Sequence, residues 1–172
     1  MDSGGHLMAS IQLKAILPKK ANLIDQPKLR KELRGALKGT GKLILSDFKK
    51  TTRTWNNKPT FQKKGPRRGK GELAVEVFTE NEIYGFVTRG TRAHIIRPAR
   101  ASSLRFQSGF SPKTRVRVIG SRGGSRSGST VFAKQVSHPG SKARDFDKEI
   151  AKRRQKNLNN LVRLAFLRVA GK

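Results

Sequence analysis

Along Ser10–Leu17 apolar and polar residues alternate, with Ile11, Leu13 and Ala15 on one side and Gln12 and Lys14 on the other. A period of two predicts a half-buried strand, ended at Pro18. From Pro27 the period changes. Leu29, Leu33, Leu37, Ile44 and Phe48 fall four or seven apart, the stripe of an amphipathic helix over about 27–50. Pro27 suits its first turn, where the missing N–H has no helical partner to lose. Gly35, Gly39 and Gly41 each weaken a helix by up to about 1 kcal/mol relative to alanine, which predicts close packing against another backbone. Leu73, Val75 and Val77 alternate within Glu72–Thr79, and after Glu80-Asn81 the chain resumes with Ile83–Thr88. Two such runs joined by a short polar turn read as a β-hairpin, with Glu72, Glu76, Glu80 and Glu82 on its solvent face. Alternation also predicts strands at Thr114–Ile119 and Thr130–Val136. Phe146, Ile150, Leu158, Leu161, Val162, Ala165 and Val169 mark one face of a closing helix over about 145–169. Asp145 is placed as its N-cap, Asp147 and Glu149 suit its first turn, Arg163 and Arg168 its end, and Gly171 its stop. The run Lys152–Lys156 is assigned to its outer faces.

These elements predict an α+β fold: a single, mainly antiparallel β-sheet flanked by the early and the late helix. The 172 residues suit one domain. Residues 1–8 read as a flexible lead without a secretory signal, and 51–71 as a basic connecting loop in which Trp55 packs over the helix end. The Gly/Ser/Arg run at 120–129 reads as a flexible basic hairpin loop. No stretch approaches the length of a membrane span, so the chain reads as soluble and made in the cytoplasm.

Charge changes the picture more than size does. Leu, Ile, Val and Phe make up about a quarter of the chain, enough for a core, but 39 Lys+Arg stand against 11 Asp+Glu, a net +28. Such a chain repels itself and calls for a polyanion or an acidic protein partner. Residues 83–144 carry no Asp or Glu and 13 Lys+Arg. A second basic block contains Lys58, Lys63, Lys64, Arg67, Arg68 and Lys70. Lys63, Lys64, Arg67, Arg68, Arg117, Arg122 and Arg126 are the candidate contacts to a polyanion or a neighbouring subunit. Solvated charge remains the simpler account of each.

Catalytic chemistry is missing. There is no cysteine, which removes disulfides, thiolate catalysis and Cys-ligated metals. His6, His94 and His138 lack metal-ligand spacing. No nucleophile elbow, Walker loop or dinucleotide fingerprint occurs. The chain reads as a non-enzyme with no cofactor and no metal.

Two segments carry a resemblance. One runs Tyr84-Gly-Phe-Val-Thr-Arg-Gly90-Thr91, then His94-Ile-Ile-Arg-Pro98 and Leu104-Arg-Phe106. The other is Val136-Ser-His138-Pro139-Gly140-Ser-Lys-Ala-Arg144-Asp-Phe146. In order and spacing they resemble the tail-completion (head–tail joining) family of long-tailed bacteriophages over about residues 83–147. That family usually carries Glu in the slot of Arg89 and Pro in that of Ala93. The resemblance implies a virion structural protein, present in the host cytoplasm during assembly. It implies a homo-oligomeric ring, six-fold to match the tail, in the neck between head and tail. The implied partners are further copies of the chain, the head–tail connector or adaptor, tail terminator or tail tube subunits, and the end of the packaged DNA; no membrane is involved. Within the motif, Gly90 and Gly140 take turns closed to residues with Cβ. Thr91 bonds the local backbone, Pro98 and Pro139 preset turns, and His138 organises its turn by hydrogen bonding. Tyr84 ends a strand, and Phe146 anchors the closing helix to the sheet. A stand-alone basic nucleic-acid-binding protein is the alternative, weakened by having one Trp, one Tyr and no base-reading motif.

Overall fold

A computed structural model describes residues 9–16, 25–68, 72–120 and 123–171. The elements run β1 (Ala9–Ile16), α1 (Gln26–Thr51), β2 (Gln62–Arg68), β3 (Glu72–Thr79), α2 (Glu82–Arg89), β4 (His94–Ile96), β5 (Leu104–Ser111), β6 (Ser125–Ala133), β7 (Val136–His138) and α3 (Phe146–Val169). The class is α+β with an early and a closing helix, as the periodicities predict. Where a single sheet was expected, the strands divide among three antiparallel ones, β1-β3-β2, β4-β7 and β5-β6, because the segments between α2 and α3 pair only with each other.

The core forms where the two periods meet. Ile11 lies opposite Val77, Leu13 opposite Val75 and Ala15 opposite Leu73, so one sheet face is apolar across both strands. Against it pack Leu29, Leu33, Leu37, Ile44 and Phe48 of α1 and Ile150, Leu158 and Ala165 of α3, all buried. Each large apolar side chain so buried contributes about 1.5–3 kcal/mol. The Asp25 carboxylate caps α1 by accepting from Lys28 N at 3.0 Å, with Pro27 in the first turn. Asp145 occupies the N-cap position of α3 in the left-handed region (φ 52°) and makes no side-chain cap. Its carboxylate instead accepts from Lys148 Nζ at 2.9 Å.

Of the three α1 glycines only Gly41 is closely packed, and against side chains where another backbone was expected. A Cβ there would lie 2.6 Å from Val75 Cγ2 and 3.0 Å from Lys63 Cδ, whereas Gly35 and Gly39 have nothing within 4 Å. Gly35→Ala is therefore expected to gain about 0.5–1 kcal/mol from helix propensity. Gly41→Ala is expected to lose about 1–3 kcal/mol from overpacking. Urea unfolding midpoints of the two variants should move in opposite directions.

The structure corrects several expectations. Ile83–Thr88 lies in helix α2 and is not a hairpin strand. Asn81 Oδ1 accepts from Tyr84 N at 2.9 Å, and Tyr84 and Thr88, four apart, face inward together. A short apolar run fits either period, and here the cap decides. Glu82 consequently sits in the first turn of α2, off the face shared by Glu72 and Glu76. The 51–71 loop contains β2, an edge strand. Its Lys, Gly and Pro composition conceals a ladder that shifts register between Lys64 and Arg67.

Further along, Thr114–Ile119 forms no strand: Arg117 is left-handed (φ 56°) and its N–H goes to Arg144 O at 2.9 Å. The partner of β6 is β5, and β6 already begins at Ser125, so the second half of the expected hairpin tip is strand. Arg154 also departs from its assigned outer face. It falls four residues from both Ile150 and Leu158 and is buried among them.

Candidate functional site

The two resembling segments cross each other beside the core. Thr91 N donates to Ser141 O at 3.0 Å, Ser141 N returns a bond to Thr91 O at 3.1 Å, and their hydroxyls are 3.1 Å apart. Thr91 thus pairs with a residue fifty positions away, where a local backbone bond was expected. Crossing at this range needs glycine on both strands. Gly90 (φ 81°) would place a Cβ 2.5 Å from Ser141 O, and a Cβ on Gly140 (φ 87°) would collide with Thr91 O. His138 Nδ1 accepts from Gly140 N at 3.0 Å across Pro139, closing the turn that presents Gly140. Pro98 follows β4 and is half-buried. Beyond the crossing, Arg144 N donates to Thr88 O at 3.0 Å and Asp145 N to the same oxygen at 3.0 Å. These bonds tie the entry of α3 to the end of α2.

Tyr84 is the hub under this joint. Its ring is fully buried, with centroids 5.0 Å from Phe61, 5.9 Å from Phe48, 6.0 Å from Phe146 and 6.1 Å from Trp55. Phe146 therefore anchors α3 through Tyr84 of α2, and the Trp55 ring, expected over the end of α1, packs beside Tyr84 as well. The Tyr84 hydroxyl lies 3.1 Å from Thr51 Oγ1. Burial pushes the phenol well above its ordinary value, only partly offset by hydrogen bonding with Thr51. Above about pH 10 the unfolded chain loses this proton while the folded chain keeps it, so stability falls by about 1.4 kcal/mol per pH unit from this group. Denaturant titrations of wild type and Tyr84→Phe should diverge with that slope above pH 10. Phenolate absorbance should appear only as the fold opens.

His94 and His138 lie opposite each other in the β4–β7 pair, with ring centroids 5.1 Å apart. His94 Nδ1 meets Arg92 O at 2.8 Å, and His138 Nδ1 is taken by Gly140 N. Both rings thus serve their own backbone turns. Among the described residues no three His, Asp or Glu side chains gather as a metal site, and Glu72 is ion-paired with Lys14 at 3.1 Å.

The basic candidates do not form one patch. In β2, Lys63 shares the helix-facing side with Val77, while Lys64 and Arg67 lie on the outer face opposite Glu76 and Ala74, and the backbone of Arg68 pairs opposite Leu73. Lys64 Nζ sits 4.2 Å over the Phe78 ring, a cation–π contact that absorbs part of its charge. Arg126 lies on the β5–β6 ribbon opposite Phe110, and Arg117 lies beside Arg144 in the return segment. No pairing joins the ribbon to the three-stranded sheet. Arg122 lies outside the described residues.

What the sequence did not reveal is a groove beneath the ribbon. A cavity of about 730 Å³ is lined by Trp55, Ile83 and Val87 on the body side, by Phe110–Thr114 and Arg126 from the ribbon and its exit, and by Ser141, Lys142 and Arg144. Phe110 and Arg126 also line a second cavity of about 870 Å³, with Leu104 and Phe106. Among the described residues no carboxylate lines either. The exposure of Ile83 (62%) and Phe110 (72%) is the structural signal, and no periodicity announces it. Comparison with known protein families, with curated proteins and with solved structures finds no match to this chain.

Proposed function

We propose that the chain is a structural protein of a phage particle, forming a ring in the neck that joins the DNA-filled head to the tail. The observation that carries this reading is the convergence of the two motif segments. Gly90-Thr91 and Gly140-Ser141 interlock, and Tyr84 stacks on Phe146, so the motif serves as a joint in the fold. In this reading the mechanism is interface burial without chemistry. Heterologous contacts close into a ring when the rotation per subunit divides a full turn. The net +28 is matched by acidic neighbouring subunits or by the end of the packaged DNA.

The acid-free stretch 83–144 favours a second reading, a stand-alone nucleic-acid-binding protein. Light scattering at low and high salt, with and without DNA, separates the two. Discrete rings without DNA are the expected result. A protein that stays monomeric and binds duplex DNA with a steep salt dependence would displace the ring in favour of the second reading.

A further inference from the structure

We propose that the groove beneath the β5–β6 ribbon binds an extended acidic peptide segment bearing apolar side chains, contributed by a partner protein. This deepens the reading above by naming the chemistry of the partner, yet it stands on the groove alone.

An isolated two-stranded ribbon is marginal in water, and this one keeps Phe106, Phe110 and Phe132 partly or largely in solvent. Leu104, Phe106 and Phe110 share one face of β5, and that face overhangs both cavities. Across the groove Ile83 is equally unoccupied. Exposed apolar side chains gathered in a cleft mark an interaction site, and a cleft of several hundred Å³ accepts a few side chains.

Charge selects the occupant. Arg126 and Lys142 flank the apolar floor and form no ion pair among the described residues. Two further cations are held in place at the rim: Lys113 Nζ donates to Thr54 O at 3.0 Å, and Arg144 Nε donates to Thr114 Oγ1 at 3.3 Å. With no carboxylate in the lining, anions are drawn in. An acidic partner suits this lining better than a second copy does, whose 11 Asp and Glu stand against 39 Lys and Arg. Rings do line the cavities, Trp55 on the body side and Phe106 and Phe110 on the ribbon, so single-stranded nucleic acid, which stacks on such rings, is the competitor that the test includes. Alternating acidic and apolar residues satisfy both features: the apolar side chains enter the cleft and the carboxylates meet the flanking cations.

The test uses the full chain and a short fluorescent peptide alternating Glu with Leu and Phe. Two control peptides replace either Glu by Gln or Leu and Phe by Ser. The first peptide is expected to bind at least about tenfold more tightly than either control. Phe110→Ser, Ile83→Ser and the pair Arg126→Glu with Lys142→Glu should each weaken it by about tenfold or more while keeping the wild-type unfolding transition. Equal binding of the Ser-containing acidic control would overturn the proposal, because charge alone would then suffice. So would displacement of the peptide by oligothymidylate at equal concentration, which would assign the groove to nucleic acid. The peptide series on wild type decides the matter even where a variant fails to fold. Peptide binding by a protein that forms no ring would retain this site and remove the ring.

Discussion

Asp47→Ala is expected to lower the stability of the protein by about 3–5 kcal/mol, because it leaves a guanidinium buried without its counter-ion. Asp47 on α1 is fully buried and Arg154 on α3 is 6% exposed. Arg154 Nε donates to Asp47 Oδ2 at 2.7 Å, and Nη2 reaches the same oxygen at 2.6 Å. Lys50 Nζ lies 3.5 Å from Oδ1, at ion-pair range without hydrogen-bond geometry. The pair bridges the two helices that share the core, so its loss strikes their packing directly. Replacing both partners, Asp47→Leu with Arg154→Met, should recover most of the loss, since the penalty lies in the orphaned charge. Urea unfolding followed by Trp55 fluorescence measures both. A single variant within 1 kcal/mol of wild type would show that water or another carboxylate reaches Arg154.

Gly140→Ala is the second large effect, expected at about 2–3 kcal/mol. Its φ of +87° is unfavourable for any residue with Cβ. The new atom would overlap Thr91 O and lie 2.8 Å from Arg92 C, all backbone that cannot swing away. Asn tolerates the left-handed region better than Ala but carries the same Cβ, so Gly140→Asn should recover little. Ser141 and Lys142 line the groove, so displacing this turn should weaken peptide binding along with stability. A Gly140→Asn protein as stable as wild type would mean that the crossing opens at low cost.

Much of this fold is legible in the sequence because long elements repeat their period. The stripe Leu29–Phe48, the alternation in β1 and β3 and the apolar face of α3 all appear where periodicity places them. Short or polar elements are not legible in that way. The six residues Ile83–Thr88 suit a strand or a helix equally, and a side-chain cap settles it. β2 consists largely of lysine, arginine, glycine and proline, so its pairing with β3 is visible only once β3 is in place. Arg154 carries a signal that could have been read: a single cation at helical spacing between Ile150 and Leu158. Asp47, adjacent to Phe48 and three residues beyond Ile44, interrupts the other stripe in the same way. Motif residues are legible as separate words, but their meeting across Thr91 and Ser141 is a property of the folded chain. The groove is less legible still, because its lining comes from several distant segments chosen by position.

The Thr91–Ser141 pairing also gives the molecule a modular boundary. Between Thr91 and Ser141 the chain makes an excursion whose two ends are bonded to each other, and it touches the body again on the way, where Lys113 Nζ donates to Thr54 O and Ile119 packs against the core. An excursion closed in this way can lengthen, shorten or change its surface while the register of β1, β3 and α1 stays the same. Doubling its length would add only about 0.6 kcal/mol of closure entropy. Lineages carrying this body are thus free to refit the ribbon to new partners, and the sequence between Phe106 and Val136 should diverge faster than the motif residues on either side.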